Sequence, residues 1–430
     1  MDLLLCKGMH IMKDNENRII FHLDVNSAYL SWSAVYRLQK GEALDLREVP
    51  SVVGGNPKSR HGIILAKSIP AKKFNIQTGE TLYSALQKCP WLIIVPPDYE
   101  LFTKCSNSLF EILETYTPKI QRFSIDECFL DFSDMNNLYP DCLKLAYEIK
   151  ETIKAELGFT VSIGISNNKL LAKMASDLKK PDAITTLFPN EIEEKMWPLP
   201  IEDLFMIGRA TAAKLHKLNI HNIGDLASYD LPLLEAQLKS HGNLIWNYAN
   251  GIEYSQVKKS TRLNMKGMGN STTISFDVED IETAHKVILS LCETLCMRLR
   301  NSENCCSLVC IHIKGSDFYS YSHQRKLCFY TDCTNKIYSI ACELFDEIWK
   351  GQSLRHIGVS VSELSSNDFC QITLFEEKDL EKQKLLDKTI DDIRMRFGSN
   401  SIIRSVFLHS NLKALNGGTA EDYPIMSSIL

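Results

Sequence analysis

The chain has 430 residues, too many for one ordinary core, and the length predicts two to four domains. Hydrophobic residues make up 44 % and charged residues 23 %, the balance of a soluble globular protein, and no apolar run of 18 residues is present, so no membrane span is expected. A net charge of −5 argues against a bulk nucleic-acid binder but leaves room for a local basic face.

Residues 1–17 read as an N-terminal extension. Leu3 to Cys6 is a short apolar patch without a basic leader, so no secretion signal is expected, and Met9 and Met12 offer alternative starts. The 14 cysteines are scattered without CxxC spacing, which predicts free thiols packed as small hydrophobes in a reducing cytosol rather than a zinc site.

Arg18 to Val25 reads as a buried strand that ends on Asp24. Asn26 offers a cap, and Ala28-Tyr29-Leu30 opens a helix. An acid at a strand's end beside a helix N-terminus suits phosphate or metal chemistry, or serves as a plain cap. Strands are expected around Val52 and over His61 to Ala66. Lys67, Lys72 and Lys73 follow within seven positions, either a triphosphate contact or a solvated charged face. Tyr99 to Thr117 and Leu138 to Leu157 are amphipathic helices, the second with Leu143, Ala146, Ile149 and Ile153 on its apolar side. Between them lie two β-forming runs, Ile120 to Ser124 and Cys128 to Phe132, flanking Asp126 and Glu127. In a straight strand these two acids diverge. If the chain turns there, both crowd one spot and repel unless a cation sits between them, so the pair is a metal site or a solvated hairpin tip. Thr160 to Ile165 is a strand and Lys169 to Leu178 a helix, followed by Lys180-Pro181. The order predicts an α+β layer with an antiparallel sheet and helices on one face, a ferredoxin-like core with an insertion near 42–84.

From Trp197 the character changes. Leu204 to Ile207, Gly208, then Arg209-Ala210-Thr211-Ala212-Ala213 predict apolar helix, glycine turn and second helix, a helix–hairpin–helix whose backbone approaches a phosphate without reading bases. Gln256 to Lys266 reads as a basic linker. Strands at Ser271–Asp277, Ser307–Lys314, Gln324–Tyr330 and Arg355–Leu364 alternate with helices at Ile281–Leu299 and Thr334–Trp349, a second β-α-β-β-α-β layer. Arg298, Arg300, Lys314, Arg325 and Lys326 predict a basic stripe on its sheet. Gln371-Ile372-Thr373-Leu374-Phe375 suits insertion of Leu374 and Phe375 into a partner's groove. Lys378 to Phe397 reads as a charged helix, and the last ~25 residues as loosely ordered.

In this order, Asp24, Ser124-Ile125-Asp126-Glu127, Gly164-Ile165-Ser166, Lys180-Pro181, the helix–hairpin–helix and Gln371 to Phe375 resemble the Y-family translesion DNA polymerases, in their DNA polymerase IV-like branch. The resemblance implies an α+β multidomain right hand. Its palm is 18–41 and 85–188, ferredoxin-like; its small fingers 42–84; its helix–hairpin–helix thumb 189–252; its little finger, with linker, 253–366; and 367–430 hold a clamp-binding peptide and a C-terminal extension. It implies a magnesium enzyme, active as a monomer in the bacterial cytosol in damage bypass and the SOS response, that adds dNTPs to primer-template DNA. It further implies Asp24, Asp126 and Glu127, with the Val25 carbonyl, as ligands of two Mg²⁺ ions. Tyr29 becomes the sugar-selecting aromatic, and Lys72 and Lys180 contact the nucleotide. Gly208, Arg209, Thr211, Arg298 and Arg325 contact DNA, and Gln371, Leu374 and Phe375 bind a sliding clamp.

Two positions depart from the family pattern: Ile69 stands for a tyrosine and Lys72 for an arginine in the fingers' phosphate clamp. Asn26 also replaces an acid common in the family. The rivals are a catalytically silent DNA-binding or scaffold homologue and a nucleotidyl cyclase, which would need neither the helix–hairpin–helix nor the clamp peptide.

Overall fold

A computed structural model describes residues 18–415 apart from 57–59, 61, 136, 259–264, 367–379, 409 and 411. The first unit is built on a five-stranded sheet. Its first strand, β1 (Ile20–Val25), leads into α1 (Ala28–Gln39). The chain then forms β2 (Ser51–Gly54), β3 (Ile64–Lys67), α2 (Leu82–Lys88) and β4 (Ile93–Val95). These three strands make a separate small sheet in the order β3-β2-β4. The small sheet runs past residue 84, because Ile93–Val95 pairs in parallel with Ser51–Val53. One face of it joins the main core through Val53, Ala66 and Val95. The other closes a small core of Val52, Ile64, Ala85 and Leu92. Alternation along a strand sends neighbouring residues to these two cores.

The main sheet resumes with α3 (Tyr99–Glu114), β5 (Ile120–Arg122), β6 (Glu127–Asp131), α4 (Cys142–Leu157), β7 (Val161–Ser166), α5 (Lys169–Leu178) and β8 (Ile184–Thr186). Its order is β5-β6-β1-β7-β8, antiparallel except for the β7–β8 pair. Helix α4 starts four residues later than Leu138, because the Asp141 side chain accepts from the Leu143 and Lys144 amides as its cap. The turn of the helix leaves Leu143 51 % exposed and buries Leu145 instead. The expectation of helices on one face is corrected. Phe21, Leu23, Val25, Leu130 and Ile163 face α3 and α4, whereas α5 lies on the opposite face. Gly164 permits this: a Cβ there would stand 2.0 Å from the Ala172 carbonyl oxygen and 2.3 Å from the Ser176 amide.

A helical unit follows: α6 (Arg209–His216), α7 (Ile223–Ala227), α8 (Leu231–Leu238) and α9 (Ser240–Ala249). The helical pair is α6 and α7. The stretch Leu204 to Ile207 before Gly208 is a turn rather than the expected helix: a 3₁₀ turn at Ile201–Asp203 precedes it, and Met206 adopts a left-handed φ of 75°.

The last unit runs β9 (Gly267–Val278), α10 (Ile281–Asn301), β10 (Asn304–Gly315), β11 (Ser320–Thr331), α11 (Thr334–Ile348) and β12 (Leu354–Ser366), with strand order β11-β10-β12-β9. The chain returns as α12 (Leu380–Phe397) and docks on the helix layer through charge. Arg300 makes a bidentate pair with Asp391 at 2.6 and 3.0 Å, and Glu293 receives Arg394 at 2.7 Å and Arg404 at 2.6 Å. Phe407 is buried as well, so the described part of the tail is more ordered than its composition implies.

The described cysteines are free and mostly buried. Among the described residues no helix is long and apolar enough to cross a membrane.

Gly164→Ala should lower the stability of the sheet unit by more than about 3 kcal/mol, because backbone rather than a flexible side chain meets the new methyl. Denaturant unfolding checks it; an unchanged midpoint would mean that α5 can lift off β7 freely.

Candidate active site

Strand period places Ile20, His22 and Asp24 on one face of β1. Register places Glu127 opposite Asp24, and Phe129 opposite His22. Ser162 and Gly164 of β7 complete that face, and α5 covers part of it. The neighbouring acid, Asp126, would point away in a straight strand. Here the chain bends through residues 124–126, and the Ser124 hydroxyl donates to Asp126 Oδ1 at 2.6 Å. Asp24 and Asp126 therefore line one cavity of about 300 Å³, with Val25, Tyr29, Lys67 and Lys72. A second cavity of about 380 Å³ shares Asp24, Ser27 and Lys72 and adds Ile69, Arg47 and Lys180.

The electrostatics are those of desolvated acids held by lysines. Burial pushes Asp24 up to about 7; Lys180 opposes this, while Glu127 and Asp126 add to it. Burial also raises Asp126, against the Ser124 hydrogen bond, and Glu127 repels it further. Lys180 Nζ lies 2.9 Å from Asp24 Oδ1 and 2.8 Å from Asp177 Oδ1. Burial works against the Lys180 ammonium, but these two carboxylates outweigh it and raise its pKa. Glu127 differs from its neighbours. Burial would raise it, yet His22 and Lys173 hold it well below the usual carboxylate range. Burial together with the Lys173 charge lowers His22 itself to about 4, so near neutral pH the ring is uncharged and Lys173 is the cation that keeps Glu127 ionised.

Oxygen donors, desolvation and mutual repulsion make Asp24 and Asp126 a fitting pair for a hard divalent cation. The expected set of three acids is not assembled. Among the described residues no three His, Cys, Asp or Glu side chains close on one point. Glu127 instead pairs with Lys173, whose Nζ lies 2.6 Å from its Oε2.

Tyr29 lines the first cavity and stacks on Phe102, with ring centroids 4.5 Å apart and planes at 15°. Lys73 lines neither cavity, unlike Lys67 and Lys72. Gly208 and Arg209 are exposed at the start of α6 and Thr211 is half-buried; a Cβ on Gly208 would meet nothing within 4 Å. The predicted basic stripe is corrected. Arg298 bonds the Asn270 side chain, Arg300 is buried against Asp391, and Arg325 pairs with Glu343 and Glu347 at 2.5 Å each. Register explains Arg325: it stands opposite Val309, a core residue on the helix side of the sheet. The open sheet face carries other groups. His312, Lys314 and His356 of that face line a groove of about 500 Å³ together with Arg355, Tyr321 and the loop residue Phe318. Gln371, Leu374 and Phe375 lie outside the described residues. Sequence reading also missed His22 and Lys173. The available signals were His22 two places before Asp24 in a strand, and Lys173 four after Lys169 in a helix.

The impB/mucB/samB family profile matches residues 23–177, its C-terminal domain 265–374, and the IMS family HHH motif 189–220. The chain is 48 % identical over 398 residues to a DNA polymerase IV of Clostridium acetobutylicum, covering 92 % of this chain and 100 % of that one. It is 33 % identical to DNA polymerase IV 2 of Bacillus subtilis, covering 91 % and 95 %. Among solved structures, a Y-family DNA polymerase chimera of Dbh and Dpo4 superposes with a TM-score of 0.70 at 23 % identity, covering 81 % of this chain and 100 % of that one, a likeness of fold.

Asp24→Asn should raise the melting temperature in EDTA by roughly 2–4 °C, since it removes a buried charge that its neighbours repel. Thermal unfolding at pH 8 reads it, and a fall would mean that Lys180 more than compensates that charge.

Proposed function

The chain belongs to the impB/mucB/samB family of Y-family DNA polymerases, and from that membership we infer that it is a DNA-directed DNA polymerase of the translesion type. The observation that carries this reading is the site itself. Two largely buried acids line the two cavities with an aromatic and several lysines, in a chain 48 % identical over 92 % of its length to a DNA polymerase IV. A cyclase needs neither the helical pair nor the last sheet, and a silent scaffold needs no buried acids.

We take residues 18–41 and 96–188 as palm, 42–95 as fingers because the small sheet closes only with Ile93–Val95, 189–252 as thumb and 253–366 as little finger. Asp24, Asp126 and the Val25 carbonyl would hold the metal, with Glu127 joining them. Two Mg²⁺ ions bound there would activate the primer 3′-hydroxyl and neutralise the departing pyrophosphate. The remaining work is positioning and charge. Lys180, next to Asp24, is placed to exchange its carboxylate for a triphosphate oxygen. Lys72 lines both cavities and can meet a phosphate as a point charge, though not bidentately. Ile69 contributes no hydrogen bond. Tyr29, held by its stack on Phe102, presents a rigid ring to the sugar. The exposed amides at Gly208 and Arg209 suit a DNA phosphate. On the little finger, Lys314, Arg355 and His356 are better placed for DNA than Arg298 or Arg325. The Gln371 to Phe375 peptide would tether the enzyme to a sliding clamp and raise its effective concentration at the primer end. The setting would be the bacterial cytosol, as a monomer.

Primer extension with Mg²⁺ should fall by more than about 10³-fold in Asp24→Ala and Asp126→Ala, and added clamp should stimulate the wild type but not Leu374→Ala/Phe375→Ala. A wild type inactive on damaged and undamaged templates would defeat the polymerase reading. Tyr29→Ala should admit ribonucleotides at least about 10-fold more readily, read as the ratio of kcat/KM for rNTP and dNTP; unchanged sugar discrimination would remove Tyr29 from that role.

A further inference from the structure

Asp24 and Glu127 stand opposite each other on adjacent strands, on the same face of the sheet. Their side chains nevertheless go to different cations. Glu127 Oε2 accepts from Lys173 Nζ at 2.6 Å and lies 3.3 Å from His22 Nε2. The His22 side chain is fully buried, and those of Lys173 and Glu127 are 8 % and 13 % exposed. His22 is fixed from behind: its Nδ1 lies 2.8 Å from the Ser176 hydroxyl, one helical turn after Lys173. Its Nε2 faces the carboxylate at 3.3 Å without an aligned hydrogen bond, a looser contact than the 2.6 Å Lys173 pair. Lys173 has a second attraction that does not depend on Glu127. Its ammonium lies 5.0 Å from the Phe123 ring and 5.6 Å from Phe205 of the helical unit. The ammonium can therefore stay where it is when the carboxylate leaves.

We propose that Lys173 is a positioning residue that holds Glu127 withdrawn from the Asp24–Asp126 cavity, with His22 behind it, so that Glu127 joins the metal site only when a divalent cation outcompetes the Lys173 ammonium. This rests on the reading of Asp24 and Asp126 as metal ligands. The energetic logic is an exchange of partners. A single ammonium at 2.6 Å is a strong, desolvated match for one carboxylate. A divalent ion already shared by two acids offers a higher charge a short rotamer change away. Lys173 thereby keeps three acids from crowding before the ion arrives, and it lowers the affinity of the empty protein for metal.

The test is Mn²⁺ binding by the full-length, metal-free protein without DNA or nucleotide, read by the electron paramagnetic resonance of free Mn²⁺. Lys173→Met should tighten binding about 10-fold, the scale of neighbouring-residue effects on metal affinity. In a Glu127→Gln background the same substitution should change it less than about 2-fold, because nothing remains to be released. Lys173→Arg keeps the charge and should leave binding near wild type, and it guards against a fold defect in the Met variant. Equal tightening in both backgrounds would show a general field effect and overturn the proposal, as would no tightening at all. If Asp24→Ala/Asp126→Ala binds Mn²⁺ as the wild type does, the metal-site reading itself fails, whatever Lys173 does.

Discussion

Three carboxylates brought out of water where central strand β1 ends and β6 begins need positive charge, and the sheet unit is arranged around that need. Asp24 and Asp126 are raised by burial and by Glu127, while Glu127 is held ionised by His22 and Lys173. The lysines that answer them come from one helix and the loop after it. Lys173 sits within α5, and Lys180 follows its end. An acidic cluster of this kind costs stability unless positive charge compensates it, and here Lys180 and Lys173 supply that charge.

The lysines reach the acids because α5 lies against the sheet, and α5 lies there because residue 164 has no side chain. A methyl at that point would meet backbone, which cannot rotate away. The same close approach buries His22 between β1 and α5 and puts Ser176 within hydrogen-bond distance of it. One glycine, one strand period and one helical turn thus set the positions of His22, Lys173 and Glu127 together. The Asp126 side chain depends on a different device, the bend at 124–126 closed by Ser124.

The last unit uses buried charge for another end. Helix α12 turns Asp387, Asp391 and Arg394 inward against Arg300 and Glu293, and leaves Leu385, Leu386 and Phe397 exposed. A desolvated ion pair is weak as glue but strict about geometry, since either partner left alone is expensive. The tail is therefore held in register on the helix layer.

Much of this was legible in the chain. The order of strands and helices follows from period and caps, and Asp24 and Asp126 stand out by type and place, whereas Tyr29 and Lys180 are marked only by the family resemblance. The misreadings have physical causes. Leu143 was placed on the apolar side because its spacing fits, but the Asp141 cap sets the helix phase. For Arg298, Arg300 and Arg325 the sequence carries charge without direction; register and the returning α12 turn Arg300 and Arg325 to acids, and Arg298 bonds Asn270. By itself the sequence determined what is local: periodicity, caps, turns and the inventory of acids and lysines. Only the tertiary structure decided which lysine meets which acid, since those distances depend on strand register and on how closely α5 can approach, and neither is carried by neighbouring residues.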